Sequence, residues 1–476
     1  MKYGELIAAR SADEQYQLAH SKRFLERYTG DAAIRAQLDR GDITLQSVAD
    51  ACECRIDLAS LRPVFDPDYA EFRAEATEFD WPLTFLWDAY LRDMLALRME
   101  ILETGSSAGL TPKFDAWRSK QVARTRLELG PSSGGLVHPP ISFELTRGCT
   151  VGCWFCGISA DKFGGAFSLD DGGEDEWRSI LQGSSAVLGD GLRNGFCYWA
   201  TEPLDSPQYI RFLEIYQQIS GVIPQTTTAV PLRNISLTRA VLRLAKDYPI
   251  DVPNRFSVLT TAILKRIHRE FTPEELLRVE LVLQNKGSTS PKTLAGRVLS
   301  DRNNMDGGSH DDAVFREAVS RRAENPAAVS TIACVSGFLV NLLDRRIRLV
   351  SPTVPTDDCP DGYIVFDERF YAKGDDFRAT LNAMIDDNMT EAPTIDAKIG
   401  FARNFSFLDA DGIRGIRSPT MAFEGEMFEN VGKFLDREEL SPVQMVESAC
   451  GNGQDIFEIV GLLETLSKSG VTRIVQ

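Results

Sequence analysis

The feature that most constrains this chain is a run of three cysteines that comes directly after a predicted strand. The strand covers residues 141–146, and Cys149, Cys153 and Cys156 follow it with Cys-x3-Cys-x2-Cys spacing. Three thiolates at this spacing can bind three irons of a cubane cluster and leave the fourth iron open. An open iron can bind and reduce a small molecule, so the spacing indicates catalysis rather than simple electron storage.

A structural zinc site is the main alternative for this cysteine run. Zinc normally takes four ligands, and the nearest candidates for a fourth, His138 and Cys197, do not stand at a customary spacing. A run of buried apolar cysteines is a second alternative, but Gly152 and Gly157 indicate a loop. The ligand count and spacing therefore favour an iron–sulfur cluster.

Composition narrows the class of protein. The chain has 476 residues, enough for two or three domains, and its 52 basic and 69 acidic residues give a formal charge of −17. Such a surface repels nucleic acid and anionic membranes, so neither is expected as a partner. No apolar run reaches the length of a membrane span, and residues 1–5 do not begin a signal peptide. An odd number of cysteines fits the reducing cytoplasm, where we expect this protein.

The pattern of elements divides the chain into three parts. Residues 1–135 form a predicted helical region, residues 136–370 a catalytic core, and residues 371–476 a C-terminal region. In the core, strands alternate with helical stretches, which predicts a parallel α/β fold. The predicted strands are 141–146, 196–200, 225–230, 256–260 and 279–284, followed by a strand pair at 330–340 and 346–350. Residues 301–325 are predicted as a polar loop followed by a helix.

The cysteine run resembles the signature of the radical S-adenosylmethionine (SAM) enzymes. This resemblance implies a partial (β/α)6 barrel with a 4Fe-4S cluster bound by the three cysteines. It further implies that the open iron binds the amino and carboxylate groups of SAM, which electron transfer cleaves to a 5′-deoxyadenosyl radical. In a parallel barrel, chemistry lies at the C-terminal ends of the strands, where this cysteine loop is predicted to lie.

Contacts to SAM are also implied by the resemblance. Ala200-Thr201-Glu202-Pro203 stands where the family commonly has Gly-Gly-Glu-Pro, with the acid and proline kept and both glycines absent. The implied contacts are Phe155 at the adenine, Thr201 and Glu202 at the ammonium group, and Ser257 at the ribose or carboxylate. The alternatives are that Glu202 caps the following helix and that Arg255, rather than Ser257, serves on the same strand.

Further motifs are similar to those of one subgroup, the proteusin-type radical SAM peptide epimerases. These motifs are Arg-Phe-Ser-Val-Leu at 255–259, Gln-Asn-Lys at 284–286 and Ala-Cys-Val-Ser-Gly-Phe-Leu-Val-Asn at 333–341. The resemblance covers roughly residues 140–365. It implies an isomerase that converts L- to D-residues in a ribosomally made precursor peptide with a leader. An external electron donor such as flavodoxin or ferredoxin is implied as a second partner.

Epimerisation requires a second hydrogen to reach the planar Cα radical from the opposite face. A thiol S–H bond is weak enough to supply it, so a cysteine outside the cluster is expected as the donor. Cys334 lies in the subgroup motif, and Gly337 can let a peptide backbone approach closely. Cys359 is the second candidate. For either residue the alternative is a buried cysteine that only fills space.

The C-terminal region has a pattern of helix, turn, helix and strand between residues 440 and 475. This order is typical of a winged-helix unit. From Lys433 onward there are four basic and seven acidic residues, so DNA binding is not expected. Winged-helix units in peptide-modifying enzymes often bind a leader peptide by strand addition. A plain packing subdomain is the alternative.

Two other functions remain open at the level of sequence. The first keeps the cofactors and changes the product to a carbon–carbon or thioether cross-link in a peptide. The second is a zinc-bound peptide-binding protein without catalysis.

Overall fold

The structure is a computed structural model that describes residues 2–300, 330–389, 396–410 and 412–475. It is a mixed α/β fold with several sheets. The helices are α1 Tyr3–Ala8, α2 Ala12–Gly30, α3 Ala32–Asp39, α4 Leu45–Cys52, α5 Arg62–Phe65, α6 Pro82–Thr104, α7 Pro112–Leu129, α8 Gly173–Leu188, α9 Tyr209–Ser220, α10 Ile235–Asp247, α11 Thr261–Glu270, α12 Arg297–Ser300, α13 Gly374–Asn388, α14 Glu426–Arg437, α15 Pro442–Gly451 and α16 Ile456–Lys468. The strands are β1 Ile141–Glu144, β2 Thr146–Arg147, β3 Gly165–Ala166, β4 Thr227–Thr228, β5 Asn254–Val258, β6 Val279–Leu283, β7 Gly337–Asn341, β8 Arg346–Pro352, β9 Tyr363–Phe370, β10 Ile399–Phe401, β11 Ser406–Ala410, β12 Ile413–Arg417, β13 Ala422–Glu424 and β14 Thr472–Ile474.

Two sheets form the centre of the molecule. One has the order β1-β7-β8-β9, with β1 parallel to β7 and the other pairs antiparallel. The other sheet has the order β4-β5-β6 and is entirely parallel. The predicted strands other than 196–200, together with the predicted strand pair, are therefore present, but in two separate sheets. The predicted partial (β/α)6 barrel is not confirmed.

The segment between the two sheets is not the strand that the sequence predicted at 196–200. Phe196 forms one parallel bridge to Ser142, and its carbonyl accepts a hydrogen bond from the Phe143 N–H at 2.9 Å. Beyond it, the hydroxyl of Ser142 donates to the Tyr198 carbonyl, and the Ala200 N–H donates to the Glu144 carboxylate at 3.1 Å. These side chains satisfy backbone groups that a strand would pair in a ladder, so the regular strand stops after Phe196.

Successive side chains of β5 alternate between two faces of the sheet. One face packs against a helix, and the other carries polar groups. Phe256 and Val258 are buried in a cluster with Leu264 and Ile267 of α11. The intervening residues Arg255 and Ser257 are only half-buried and lie on the other face, because successive side chains of a strand point to opposite sides. The candidate active site lies on this second face.

The N-terminal helices pack directly on the parallel sheet. The Tyr3 hydroxyl donates to the Leu277 carbonyl at 2.7 Å, and the Asn285 amide donates to the Gly30 carbonyl at 2.7 Å. One continuous hydrophobic core joins residues of α1, α6 and α7 to β1, α8, α9 and α13. A second core runs from Ile399 to Val471. The helix α13, which the sequence analysis assigned to the C-terminal region, thus packs in the central core.

The C-terminal helices and strand lie where the sequence pattern predicted them, as α15, α16 and β14. They follow an antiparallel sheet of order β11-β12-β13 and the helix α14, while β14 pairs with β10. The predicted loop and helix at 301–325 lie outside the described residues. In the described part of the chain, no helix combines the length and apolarity that crossing a bilayer requires.

Candidate active site

The cysteine loop leaves the C-terminal end of β1 through a position that only glycine fits. Gly148 has φ +67°, and a Cβ there would lie 2.3 Å from the Lys162 carbonyl oxygen. The Cys149 N–H donates to the Asp161 carbonyl at 2.9 Å. The two ends of the loop are therefore held against each other, and the three cysteines lie between them.

The thiols of this loop are half-buried and accept backbone hydrogen bonds. The Val151 N–H donates to the Cys149 Sγ and the Ala160 N–H donates to the Cys156 Sγ, both at 3.3 Å. Burial, followed by the nearby Cys156 and Cys149, raises the pKa of the Cys153 thiol to about 11. The thiols are thus close enough to repel as thiolates, and binding a metal cluster relieves this repulsion.

Two side chains fix the loop from outside, and sequence reasoning missed both. Asp205 accepts from the Thr150 N–H at 3.0 Å and from the Thr150 hydroxyl at 2.6 Å. Arg297 donates to the Cys153 carbonyl at 2.7 Å and also to the Ala160 carbonyl. Asp205 stands three residues after Glu202, a spacing that could have indicated it. No sequence signal pointed to Arg297.

Glu202 lies beside the cysteine loop but is already engaged by the protein. Its Oε1 accepts from the Leu204 N–H at 3.1 Å, and its Oε2 accepts from the Ala229 N–H at 2.9 Å. Burial raises its pKa to about 7, and its charge in turn raises the pKa of Cys149. The bond from the Leu204 N–H caps a short 3-10 helix at Pro203–Asp205, so Glu202 does cap a following helix, as the alternative in the sequence analysis proposed. The Thr228 side chain bonds the carboxylate as well, so one of its four acceptor positions is left for a ligand donor.

The other predicted SAM contacts lie on different sides of the site. The Thr201 hydroxyl is buried and has no hydrogen-bond partner among the described residues. Ser257 is half-buried on the polar face of β5. Phe155 makes an edge contact with Trp154 at 5.4 Å between ring centroids, and both rings pack on Val298. Glu202 lies close to Cys149, whereas Phe155 packs toward α12.

Cys334 lies on the polar side of the central sheets. It packs beside Tyr198, whose hydroxyl donates to the Gln225 side chain at 2.5 Å. Burial raises the pKa of the Cys334 thiol to about 11, and the nearby Arg255 guanidinium partly offsets the rise. Arg255 is itself paired with Glu280 at 2.9 Å. The thiol is therefore protonated at neutral pH and has no hydrogen-bond partner in the described structure.

Cys359 has a different environment. Its thiol donates to the Tyr363 carbonyl at 2.9 Å within a turn that begins at Thr356. Cys197 is completely buried in the main core, and burial raises its pKa. Cys52 and Cys54 are buried in the N-terminal cluster, and Cys450 is exposed. Of the cysteines outside the cluster loop, Cys334 is the one that adjoins Tyr198 and Arg255.

Gly337 does not serve the predicted role of admitting a peptide. A Cβ at this position would lie 1.9 Å from the Pro140 carbonyl oxygen of the same chain. The neighbouring Phe338 N–H donates to that carbonyl at 2.9 Å. The space left by the missing side chain at Gly337 is therefore occupied by the Pro140 backbone, in the segment that leads into β1.

A further buried acid, Glu144, holds the end of β1 in place. One oxygen accepts from the Ala200 N–H at 3.1 Å, and the other accepts from the Asn341 amide at 3.0 Å. Burial raises the pKa of this carboxyl. Glu144 thus ties β1 both to the Ala-Thr-Glu-Pro segment and to β7. Its place at the end of a buried strand was the only sequence signal for it.

The residues present fit a cluster and SAM in their chemistry. Two of the three loop thiols, Cys149 and Cys156, accept backbone N–H bonds, and the buried carboxylate of Glu202 lies close enough to act on the Cys149 thiol. The Thr201 hydroxyl, next to Glu202 in the chain, is buried without a hydrogen-bond partner among the described residues. In the described part of the chain, no three His, Cys, Asp or Glu side chains converge on a single metal-ion site. A cubane cluster binds one thiolate at each of three irons, so its cysteines need not surround one ion.

Comparisons with known proteins give one clear relative. No family model matches the chain. A solved structure of BtrN in complex with AdoMet and 2-DOIA aligns with 40% of this chain and 90% of that chain at 13% identity, but its TM-score of 0.24 is too low to establish a shared fold. The uncharacterized protein y4wI of Sinorhizobium fredii (strain NBRC 101917 / NGR234) is 38% identical over 469 residues, which are 98% of this chain and 89% of that protein. This chain therefore belongs to the family of the protein y4wI.

Proposed function

We propose that this protein is a radical SAM peptide epimerase that converts L- to D-residues in a ribosomally made precursor peptide. The observation that carries the proposal is the cysteine loop at the C-terminal end of β1. Asp205 joins this loop to the turn that contains Glu202. Three potential cluster ligands and a buried carboxylate thereby stand at one sheet end, which is where parallel α/β enzymes place their chemistry.

The roles of the residues follow from their chemistry. Cys149, Cys153 and Cys156 would hold a 4Fe-4S cluster, and Thr201 and Glu202 would bind the ammonium group of SAM. When bound, the cluster and SAM together supply a carbon radical that can remove the hydrogen of a peptide Cα–H bond. Ser257 and Phe155 would contact the nucleoside part. Arg297 holds the loop backbone at Cys153 and does not need to contact either group.

Cys334 would return hydrogen to the peptide. Hydrogen-atom donation requires an S–H group rather than a thiolate, and burial keeps the Cys334 pKa near 11. Its S–H is uncommitted in the described structure, whereas the S–H of Cys359 is donated to a carbonyl. The transfer forms the new Cα–H bond, breaks the S–H bond and leaves a thiyl radical. One electron from an external donor such as flavodoxin or ferredoxin and one proton from solvent restore the thiol.

The C-terminal unit would bind the leader of the precursor. In the order β11-β12-β13, the strand β13 has one edge without a partner strand among the described residues. The helix α16 exposes Ile456, Phe457 and Val460, and Phe457 is 83% exposed. An apolar helix face and an open strand edge are the features that strand addition of a peptide uses.

Deuterium incorporation tests the epimerase proposal. The enzyme is reconstituted anaerobically, co-incubated in deuterated water with the precursor peptide encoded beside its gene, and the product is hydrolysed for chiral analysis. Each inverted residue should carry one deuterium at Cα, because the thiol hydrogen exchanges with solvent. Cys334→Ala should still cleave SAM but form no D-residues, and Cys359→Ala should form them normally. Loss of hydrogen from the product would indicate a cross-linking enzyme instead. If the protein bound zinc and no iron, both the epimerase and the cross-linking enzyme would be excluded.

A further inference from the structure

A large groove lies between the central sheet and the C-terminal unit. It has a volume of about 710 Å³ and is bounded by α7, β9, β10 and β14. Pockets of roughly 300–1,000 Å³ are the size that binds ligands in proteins. Trp117 and Phe366 meet edge to face in its wall at 5.5 Å between ring centroids, and Ile364 and Ile474 add apolar surface. An apolar partner can therefore bury surface here.

The charge of this groove is opposite to that of the chain. The whole chain has a formal charge of −17. In contrast, the residues that line the groove in the described structure include no aspartate or glutamate. The basic residues in the lining are Lys120, Arg124, Arg403, Lys468 and Arg473. A local surface of one sign with apolar walls attracts a partner of the other sign.

Two of these basic residues have no acidic partner. Lys120 is half-buried and Arg403 is exposed, and neither forms an ion pair within the ranges that the structure describes. Burial lowers the pKa of Lys120. The other three are paired with glutamates outside the groove: Arg124 with Glu128, Lys468 with Glu464 and Arg473 with Glu438. Lys120 and Arg403 are thus the cations left for an incoming carboxylate.

The groove is connected to the cysteine loop by a short series of contacts. Asn404, next to Arg403, donates to the Thr353 hydroxyl at 2.9 Å, and the Thr353 N–H donates to the Gly362 carbonyl at 2.9 Å. Two residues before Gly362, the Pro360 carbonyl accepts from the Gly296 N–H at 2.5 Å. The next residue, Arg297, holds the cysteine loop. The wall of the groove at Arg403 is therefore linked, through Thr353 and the turn at 360–362, to the residues that hold the cysteine loop.

We infer that this groove binds an acidic, apolar stretch of the peptide substrate and leads the rest of the peptide toward the active site. The inference rests on the proposed function for the identity of the peptide. Its chemistry comes from the groove itself, where glutamate or aspartate side chains pair with Lys120 and Arg403 and apolar side chains pack on Phe366 and Ile364. The site differs from the edge of β13, because β13 contributes no residue to it.

Direct binding of a model peptide tests this inference on the full-length chain. The probe is a fluorescein-labelled peptide of alternating glutamate and valine, compared by anisotropy with one of alternating lysine and valine. The glutamate peptide should bind and the lysine peptide should not, and salt should weaken binding. The variant Lys120→Gln/Arg403→Gln should bind the glutamate peptide about tenfold more weakly, because two charge pairs are lost. Phe366→Ala should also weaken binding.

A matched variant separates local from general electrostatics. Arg243 and Lys246 are exposed on α10 outside the groove. Arg243→Gln/Lys246→Gln removes the same two charges and should leave binding unchanged. Equal weakening in both double variants, or equal binding of the two peptides, would overturn the inference. SAM cleavage without peptide is measured in parallel. If the protein cleaves SAM but does not bind the glutamate peptide, only the inference about the groove is refuted. If it binds the peptide but does not cleave SAM, only the proposed enzymatic function is refuted.

Discussion

Asp205 accepts two hydrogen bonds from Thr150, one from its backbone N–H and one from its hydroxyl. Arg233 donates to the same carboxylate and to the Thr150 hydroxyl, both at 2.7 Å. Thr150 stands between the first two cysteines of the loop, and Asp205 ends the turn that begins with Glu202 and Pro203. The two motifs that are far apart in sequence are thus held as one unit by a single carboxylate.

Breaking this connection should loosen the cluster. Asp205→Ala removes both bonds to Thr150 and the ion pair with Arg233. Thr150→Val removes the hydroxyl bonds to Asp205 and Arg233 but keeps the backbone bond, so the first variant should have the larger effect. Groups that orient metal ligands typically contribute about 10-fold to 100-fold in affinity. We expect a chelator to bleach the visible absorbance of Asp205→Ala about tenfold faster than that of the wild type. Asp247→Ala, at the exposed end of α10, is the control and should bleach at the normal rate.

Replacing the three loop cysteines should remove the cluster altogether. The wild type, reconstituted anaerobically, should bind about four irons per chain, as a cubane cluster requires. The variant with Cys149, Cys153 and Cys156 all changed to Ala should bind none of these and should not cleave SAM. Iron and sulfide analysis, together with chromatography of the SAM products, gives the answer. Intact SAM cleavage in the triple variant would contradict the assignment of the loop.

His138 should make the free energy of unfolding depend on pH. Its ring is buried and contacts the Ser336 hydroxyl at 2.7 Å, and burial, followed by the charges of Arg118, Arg124 and Arg126, lowers its pKa to about 3. The unfolded chain takes up this proton near the ordinary value of 6.5. Stability from His138 is therefore complete above that value and falls as the pH drops toward about 3, with a loss of about 2 kcal/mol at about pH 5.

The control for this effect is His138→Asn. His138 has φ +48°, a left-handed conformation that asparagine tolerates, and an amide can still contact Ser336. Denaturant unfolding of both proteins between about pH 5 and pH 7 should show a smaller loss of stability in the variant. If the free energy of unfolding depended equally on pH in the two proteins, His138 would not be the titrating group.

Gly337→Ala should destabilise the fold strongly. The new Cβ would stand 1.9 Å from the Pro140 carbonyl oxygen, which is fixed by the Phe338 N–H. We expect a loss of about 3 kcal/mol or more in the free energy of unfolding, because the backbone on both sides must move. Gly461→Ala is the matched change, since a Cβ there meets nothing within 4 Å on the exposed side of α16. It should be neutral or stabilise by up to about 1 kcal/mol.

The sequence predicted the strands whose apolar residues alternate or cluster, such as β5 and β6, because burial against helices determines that pattern. It failed at Phe196 to Ala200. There the apolar run reads as a strand, but the Ser142 hydroxyl and the Glu144 carboxylate bind the backbone of Tyr198 and Ala200 instead. Contacts between side chains and backbone that are distant in sequence leave no periodic signal.

The same distinction applies to the candidate site. The three cysteines could be predicted as cluster ligands because their spacing is local and chemically specific, and that role stays a prediction. Arg297 was not found, because its role depends on how closely the preceding residue, Gly296, packs against the loop. A Cβ added at Gly296 would lie 2.2 Å from the Cys156 carbonyl oxygen. Glu202 lies close to the loop, as its effect on the Cys149 pKa indicates, and its contact with SAM stays a prediction. Its two backbone partners, Leu204 and Ala229, could not be read from the sequence.

The bond from Asn285 to Gly30 fixes the end of α2 beside β6, which is the last strand of the parallel sheet. The unpaired edge of a sheet is a place where another chain can add by backbone pairing. The helix α2 packs against β6 and so shields this edge. Proteolytic trimming or recombinant shortening of the N-terminus would therefore not yield a smaller folded protein. It would leave the edge of β6 open to backbone pairing with other chains, and the protein would aggregate.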